Sequence, residues 1–179
     1  MARTKQTSQN GSTRKTSNGT QRDAIAVLKA DHRQVEEWFS EFEKAKDRKR
    51  KVSLARQICH ALTVHAQIEE EIFYPAFLQA TGDEDMHHEA AVEHTGAKRL
   101  IADIESNPSD EYFDARVTVL SEMIKHHVKE EEQRDGMFAK ARKSDMDLVG
   151  LGAQLEIRKS ELEADGTVLG RTKKFFAAA

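Results

Sequence analysis

From Asp23 onward, apolar residues recur at alternating spacings of three and four, the period of helices with one buried face. The first stretch, about 22–46, aligns Ile25, Leu28, His32, Val35, Phe39 and Phe42 in one stripe with a histidine at its middle. Asp47 can cap a second helix that runs to about residue 80 and ends near Gly82. Its stripe reads Leu54, Ile58, Leu62 (with Ala61), His65, Glu69, Ile72 and Ala76. Asp83 can cap a third, with His87, Ala90, His94, Ala97, Ile101 and Ile104 facing inward. Asn107-Pro108 then breaks the chain: asparagine suits a cap, proline the first helical position, and Asp110 and Glu111 the helix dipole. The fourth stripe is Phe113, Val117, Leu120, Ile124, His127 and Glu131. A shorter helix capped by Ser144 is expected to about 163, with Leu148, Leu151, Leu155 and Leu162 available to pack on the rest.

Four such helices with short connections predict an all-α, up-down-up-down four-helix bundle. Neither a βαβ alternation nor a Gly-rich phosphate loop is present in the sequence. The expected organisation is a disordered tail over 1–20, the bundle over 21–143, and a C-terminal helix with a frayed end over 144–179. The tail has only Met1 and Ala2 from the apolar set, too little to offset the entropy of ordering it. Its Ala2–Thr7 stretch resembles the start of a core histone tail, a six-residue match of the kind that composition bias produces by coincidence.

Composition supports the helical reading. A third of the 179 residues are charged and 6% are aromatic, with two prolines and nine glycines, too few turn formers for a sandwich or barrel. The net charge is −3, with Arg3, Lys5, Arg14 and Lys15 concentrated in an acid-free tail, so the remainder is acidic. An acidic domain without a basic, aromatic-studded face argues against nucleic-acid binding, and the basic run Lys44–Lys51 reads as a solvated connection. No apolar run approaches membrane-spanning length and no apolar leader opens the chain. The single cysteine, Cys59, excludes an internal disulfide, so a cytoplasmic location is expected.

The chemistry lies inside the stripes. Each carries a histidine where a bundle normally places leucine or isoleucine, and two add a glutamate four residues later, His65/Glu69 and His127/Glu131, on the same face. Each such polar group buried without a partner costs about 1–3 kcal/mol, and a carboxylate more. A domain stable by roughly 5–15 kcal/mol cannot carry that load uncompensated. Metal ions supply the compensation. The donor set exceeds a tetrahedral zinc site and suits two octahedral ions bridged by carboxylates. Iron is the natural choice for such mixed nitrogen and oxygen donors, although the donor set alone leaves manganese and zinc open.

These residues resemble the hemerythrin-like, or HHE cation-binding, domain over about 23–143. The resemblance rests on Asp31-His32, on the run from His65 through Glu69 and Glu70 to Tyr74-Pro75, on Val92-Glu93-His94, and on His126-His127 followed by Glu130-Glu131-Glu132. It implies a hemerythrin-like fold with His32, His65, Glu69, His94, His127 and Glu131 as metal ligands, the two glutamates bridging. It further implies a cofactor of two iron ions joined by an oxo or hydroxo bridge, and roles in oxygen or iron sensing, storage and stress response. Oxygen-carrying members have a further histidine one turn after the ligand on the third helix, where this chain has Lys98. That departure bears on reversible oxygen carriage more than on iron binding.

Several neighbours need placing. His87 lies on the His94 stripe, two turns earlier, and is a further candidate ligand. His126 rivals His127 by its spacing to Glu131, but stripe phase favours His127. His60 and His88 are expected to face solvent, and Cys59 to be a buried filler. Glu70, Glu71, Glu130 and Glu132 are expected to form an acidic surface, Glu36 or Glu93 to accept from ligand histidines, and Tyr74 to pack. After Glu132, Gln133-Arg134-Asp135-Gly136 is expected to make the chain irregular. Two functions follow as expectations: binding or sensing of a diatomic ligand, peroxide or iron, or an enzyme reducing peroxide or nitric oxide. Either leaves room for an unknown protein partner that relays a signal.

Overall fold

The helices begin where short acidic side chains can accept from free N–H groups. α1 spans Ala24–Lys44, with the Asp23 carboxylate accepting from the Ala26 N–H at 2.7 Å. α2 spans Arg48–Ile68 and is capped by Asp47 in the same manner. A π-helical turn, Glu69–Phe73, joins it without a break to α3, Tyr74–Thr81. Gly82 then ends the rod at φ 66°, a left-handed conformation that glycine adopts without a Cβ penalty. Asp83 caps α4, Glu84–Ser106, and α5 spans Phe113–Glu132. Two shorter helices follow, α6 over Met137–Lys143 and α7 over Leu148–Ala164. The computed structural model describes residues 22–164, so the expected disordered tail and frayed end lie outside the described residues. Among the described residues all regular structure is helical, in a helical bundle, and no helix is long and apolar enough to cross a membrane.

Three local expectations are corrected. The second stripe slips at the π-helical turn, where the Tyr74 N–H bonds to the Glu69 carbonyl, five residues back instead of four. The extra residue advances the buried face by one position, so Phe73 and Phe77 are inside where Ile72 and Ala76 were expected to lead. Asn107 closes α4 instead of opening the next helix; residues 107–112 form a turn, and α5 starts only at Phe113. Ser144 bonds back to the Ala141 carbonyl at the end of α6, and it is the Asp147 carboxylate that accepts from the Gly150 N–H at the start of α7.

The core is two apolar layers with a polar layer between them. One contains Leu28, Ile68, Phe73, Phe77, Met137, Phe138 and Leu155; the other Val35, Phe39, Ile58, Leu62, Ile101, Val117 and Leu120. His32 falls between Leu28 and Val35 along α1, and His65 between Leu62 and Ile68 along α2, which places both at the junction. The irregular stretch after Glu132 turns the chain back so that α6 lays Phe138 flat against the His32 ring, with centroids 5.8 Å apart. α7 packs on α1 through Gly152, where a Cβ would fall 2.3 Å from the Arg22 carbonyl oxygen. Only the absence of a side chain allows so close an approach.

Candidate metal centre

The polar layer collects His32 from α1, His65 and Glu69 from the α2 rod, His94 from α4, and His127 and Glu131 from α5, all buried. Glu69 is 0% exposed and Glu131 2%, depths at which a carboxylate needs a compensating positive charge. The Nε2 atoms of His32 and His65 face each other at 3.1 Å, and those of His94 and His127 at 3.4 Å. Glu69 Oε2 lies 3.3 Å from His65 Nε2 and 3.5 Å from His94 Nε2. Glu131 Oε2 lies 3.3 Å from His32 Nε2 and 3.7 Å from His127 Nε2. Each carboxylate thus reaches one histidine of each pair. The six atoms form two overlapping donor groups, His32, His65, Glu69 and Glu131, and Glu69, His94 and His127.

The outward nitrogens explain why the rings point this way. Each Nδ1 is within reach of a carboxylate outside the layer: His32 of Glu132 at 2.8 Å, His65 of Asp31 at 3.4 Å, His94 of Glu70 at 2.9 Å and His127 of Glu93 at 2.8 Å. An Nδ1–H donated outward leaves the Nε2 lone pair directed at the centre, the arrangement a metal-ligating imidazole requires. The pattern runs around the bundle. Every outer carboxylate is the immediate chain neighbour of one inner donor and serves the histidine of the next helix: Asp31 beside His32, Glu70 beside Glu69, Glu93 beside His94, and Glu132 beside Glu131.

A further ring of cations holds three of these four carboxylates. Glu132 pairs with Lys29 and Arg33, Asp31 with Lys159 of α7, and Glu70 with Lys98. Burial alone would raise all four outer carboxyl pKa values, but the histidines and cations beside them outweigh it and hold them below the ordinary range. Within the layer, burial opposes a charged His65, yet Glu69 and Asp31 raise its pKa to about 10. Burial likewise opposes a charged His127, and Glu93, Glu131 and Glu69 raise it to about 9. Glu69, despite its burial, is held far below the usual carboxylate range by His65, His94 and His127. The layer therefore favours positive charge among its donors, whether protons or metal ions. Glu69 Oε1 and Glu131 Oε2 are buried with no hydrogen-bond partner, which is the unmet acceptor capacity that a bound cation would satisfy. The residues present fit a metal centre.

Most sequence expectations for the centre concern residues that the fold does bring together, with exceptions among the neighbours. Glu70 and Glu132 are not free surface acids but the acceptors for His94 and His32. Glu71 pairs with Arg158 of α7, and Glu130 with His126. Of the two acceptors proposed from sequence, Glu93 reaches His127. Tyr74 does more than pack: its hydroxyl lies 3.1 Å from Glu131 Oε1, 3.3 Å from Glu69 Oε2 and 3.2 Å from His94 Nε2, so its single proton can be donated to either inner carboxylate. The π-helical turn puts it there. His127 is 6% exposed and His126 63%, so the inner side chain is His127. His87 stays outside the donor groups, with its ring edge-on to Tyr74 at 6.3 Å. His60 is half-buried rather than solvent-facing, whereas His88 is exposed. Cys59 is buried, and burial with the nearby Glu105 charge pushes its thiol pKa upward, which suits a filler.

Over 107 residues the chain is 34% identical to a DNA nickase of Nostoc sp. (strain PCC 7120 / SAG 25.82 / UTEX 2576), which covers 59% of this chain but only 30% of that protein. The name therefore describes a protein of which this chain spans under a third. The fold matches the crystal structure of a hemerythrin HHE cation binding domain-containing protein from Mycobacterium kansasii, at a TM-score of 0.69 and 21% identity, over 85% of this chain and 94% of that one. The family description of the hemerythrin HHE cation binding domain matches residues 23–139, and the chain belongs to that metal-cation-binding family.

Proposed function

We propose that this protein holds two iron ions between His32, His65, Glu69, His94, His127 and Glu131, and uses them to bind or sense dioxygen, nitric oxide, peroxide or iron itself. The observation that carries the reading is the double reach of Glu69 and Glu131, each facing one histidine of either pair. A single ion would leave one pair of imidazoles facing each other without a shared partner. Iron with open coordination positions supplies the affinity for small oxygen and nitrogen species. The chain supplies the shape around them. A cavity of about 20 Å³ borders all four histidines and is otherwise walled chiefly by apolar side chains, among them Val35, Leu62, Ile101 and Ile124. That volume suits one water or a diatomic molecule.

Tyr74 is not among the side chains lining this cavity, and its hydroxyl serves the carboxylates. Lys98 does line it, while bonding Glu70 at 2.6 Å. Lys98 is the observation favouring a second reading, an enzyme that reduces peroxide or nitric oxide. An ammonium at the cavity wall, in place of the further histidine of oxygen-carrying members, offers a proton to a ligand being reduced. Neither reading assigns a nucleic-acid or membrane partner, and the acidic balance outside the tail supports leaving both out.

Metal analysis and the visible spectrum of protein expressed with iron test the proposal. About two irons per chain, with a spectrum that bleaches on anaerobic reduction, are expected. Recovery of the original ferrous protein after removing oxygen favours the binding protein, and irreversible oxidation favours the enzyme. One zinc per chain, or no metal, contradicts both.

A further inference from the structure

Glu93 departs from the pattern of the other outer carboxylates. Among the described residues no lysine or arginine forms an ion pair with it; its second partner is His126, whose Nε2 lies 3.4 Å from Glu93 Oε1 and 3.1 Å from Glu130 Oε1. Glu93 on α4 faces His126 and Glu130, which are four residues apart on α5 and so share one face. One donor atom from each lies within 4.8 Å of the others, and the His126 ring is open to solvent. Glu89, one turn before Glu93 on α4, adds a third negative charge. This is therefore the place around the centre where carboxylates crowd together without a fixed cation.

The cluster also has something behind it. A cavity of about 80 Å³ lies between α4 and α5, and its walls include Glu93 and His126 on the outside and His94 and His127 on the inside. Met123 and Ile124 line the stretch between. Glu93 belongs to both ends, since its other oxygen accepts from His127 Nδ1 at 2.8 Å.

We propose that Glu93, His126 and Glu130 form a peripheral site for a divalent transition-metal ion, which captures ferrous iron at the surface and passes it through the α4–α5 cavity to His94 and His127. One imidazole with two carboxylates suits ferrous iron, manganese or zinc; magnesium and calcium prefer all-oxygen sites, and copper(I) prefers sulfur. The three donors leave positions for water, so the ion is held loosely enough to move on. Crowded carboxylates at the opening also attract cations from solution and raise their rate of arrival. The capture role rests on the two-iron centre proposed above, whereas the site itself does not.

The test is anaerobic titration of metal-stripped full-length protein with ferrous iron, wild type against the double variant H126A/E130Q, with bound iron measured by equilibrium dialysis and filling followed by stopped-flow absorbance. Wild type is expected to bind about one ion more per chain than the variant, and the variant to fill its inner centre about tenfold more slowly. Equal stoichiometry in the two proteins overturns the peripheral site, whatever that stoichiometry is. Loss of the extra ion with an unchanged filling rate overturns the capture role. The absolute count reports separately on the inner centre: fewer than about two ions retained by the variant, with the difference of one intact, would count against the two-iron reading and leave the peripheral site standing.

Discussion

The two histidine pairs present the same inner donors inside different coats. Around His32 and His65 the outer carboxylates are Glu132 and Asp31, with side chains 16% and 14% exposed, gripped by Lys29, Arg33 and Lys159. Phe138 stacks on His32, and α7 closes over this side through its contact with α1. Around His94 and His127 the outer carboxylates are Glu70 and Glu93, 36% and 20% exposed, held by Lys98 and by His126. A buried, lysine-clamped carboxylate holds its imidazole in one orientation, whereas an exposed one competes with water. The lesson is that symmetry of ligands need not mean symmetry of the site. If each half holds one of the two proposed ions, the His32 and His65 half is the one expected to retain it and the His94 and His127 half the one expected to exchange it.

The harshest way to break the comparison is to remove what the halves share. Glu69→Ala deletes a carboxylate facing both pairs and is expected to cost at least half of the bound metal, measured as ions per chain after dialysis. Retention of both ions would show that Glu131 alone can bridge. The metal-free protein gives the next effect, through pH. His65 and His127 have folded pKa values of about 10 and 9 against an unfolded value near 6.5, so their contribution to stability is complete below about pH 6.5. It is then lost as pH rises to about 9–10, on the order of a few kcal/mol. Glu69 has the opposite sign: its depressed pKa stabilises above roughly pH 4.5 and fades as pH falls below it. Metal-free protein is thus expected to be most stable between about pH 4.5 and 6.5 in chemical denaturation. Metal affinity should instead climb above pH 6.5, because the ions displace the protons. A flat stability profile from pH 6 to 9 would contradict these charge assignments.

The outer carboxylates sharpen the comparison. Asp31→Ala and Glu70→Ala should each weaken one half by roughly 10–100-fold in metal affinity, read by chelator competition. The fold-change is expected to be larger for Asp31, whose side chain is 14% exposed against 36% for Glu70, so that water replaces it less readily. Gly152→Val should force α7 from the start of α1 and destabilise the protein by about 1–3 kcal/mol. It should also speed metal release from the His32 and His65 half; release unchanged from wild type would mean that α7 does not protect it. The smallest effect is expected for Tyr74→Phe, about 1–2 kcal/mol in the metal-free protein from the lost hydroxyl bonds, with metal content preserved.

How much of this could be read in advance follows from periodicity. His32, His65, Glu69, His94, His127 and Glu131 all fall on apolar stripes, and a side chain in phase with leucine and isoleucine ends up inside, so the inner layer was legible. Of the outer carboxylates only Glu93 was; the others were not, because a residue next to a buried one is rotated by about 100° around the helix axis. In a lone helix Asp31, Glu70 and Glu132 look like solvated acids, and only the neighbouring helix turns them into acceptors. A signal was present nonetheless in the pairs Asp31-His32, Glu69-Glu70, Glu93-His94 and Glu131-Glu132, which put an acid beside an inner donor on every helix. The π-helical turn escaped notice because one inserted residue leaves a stripe with a plausible continuation, here Ile72 and Ala76 in place of Phe73 and Phe77. α6 escaped because its seven residues are too few to display a period.

The central claim is that two ions share Glu69 and Glu131. Anomalous diffraction at the iron edge from crystals of protein expressed with iron tests it most directly. Two adjacent peaks are predicted, one beside His32 and His65 and the other beside His94 and His127, with both glutamates between them. A single peak confined to one histidine pair, or iron found away from Glu69, would contradict the account.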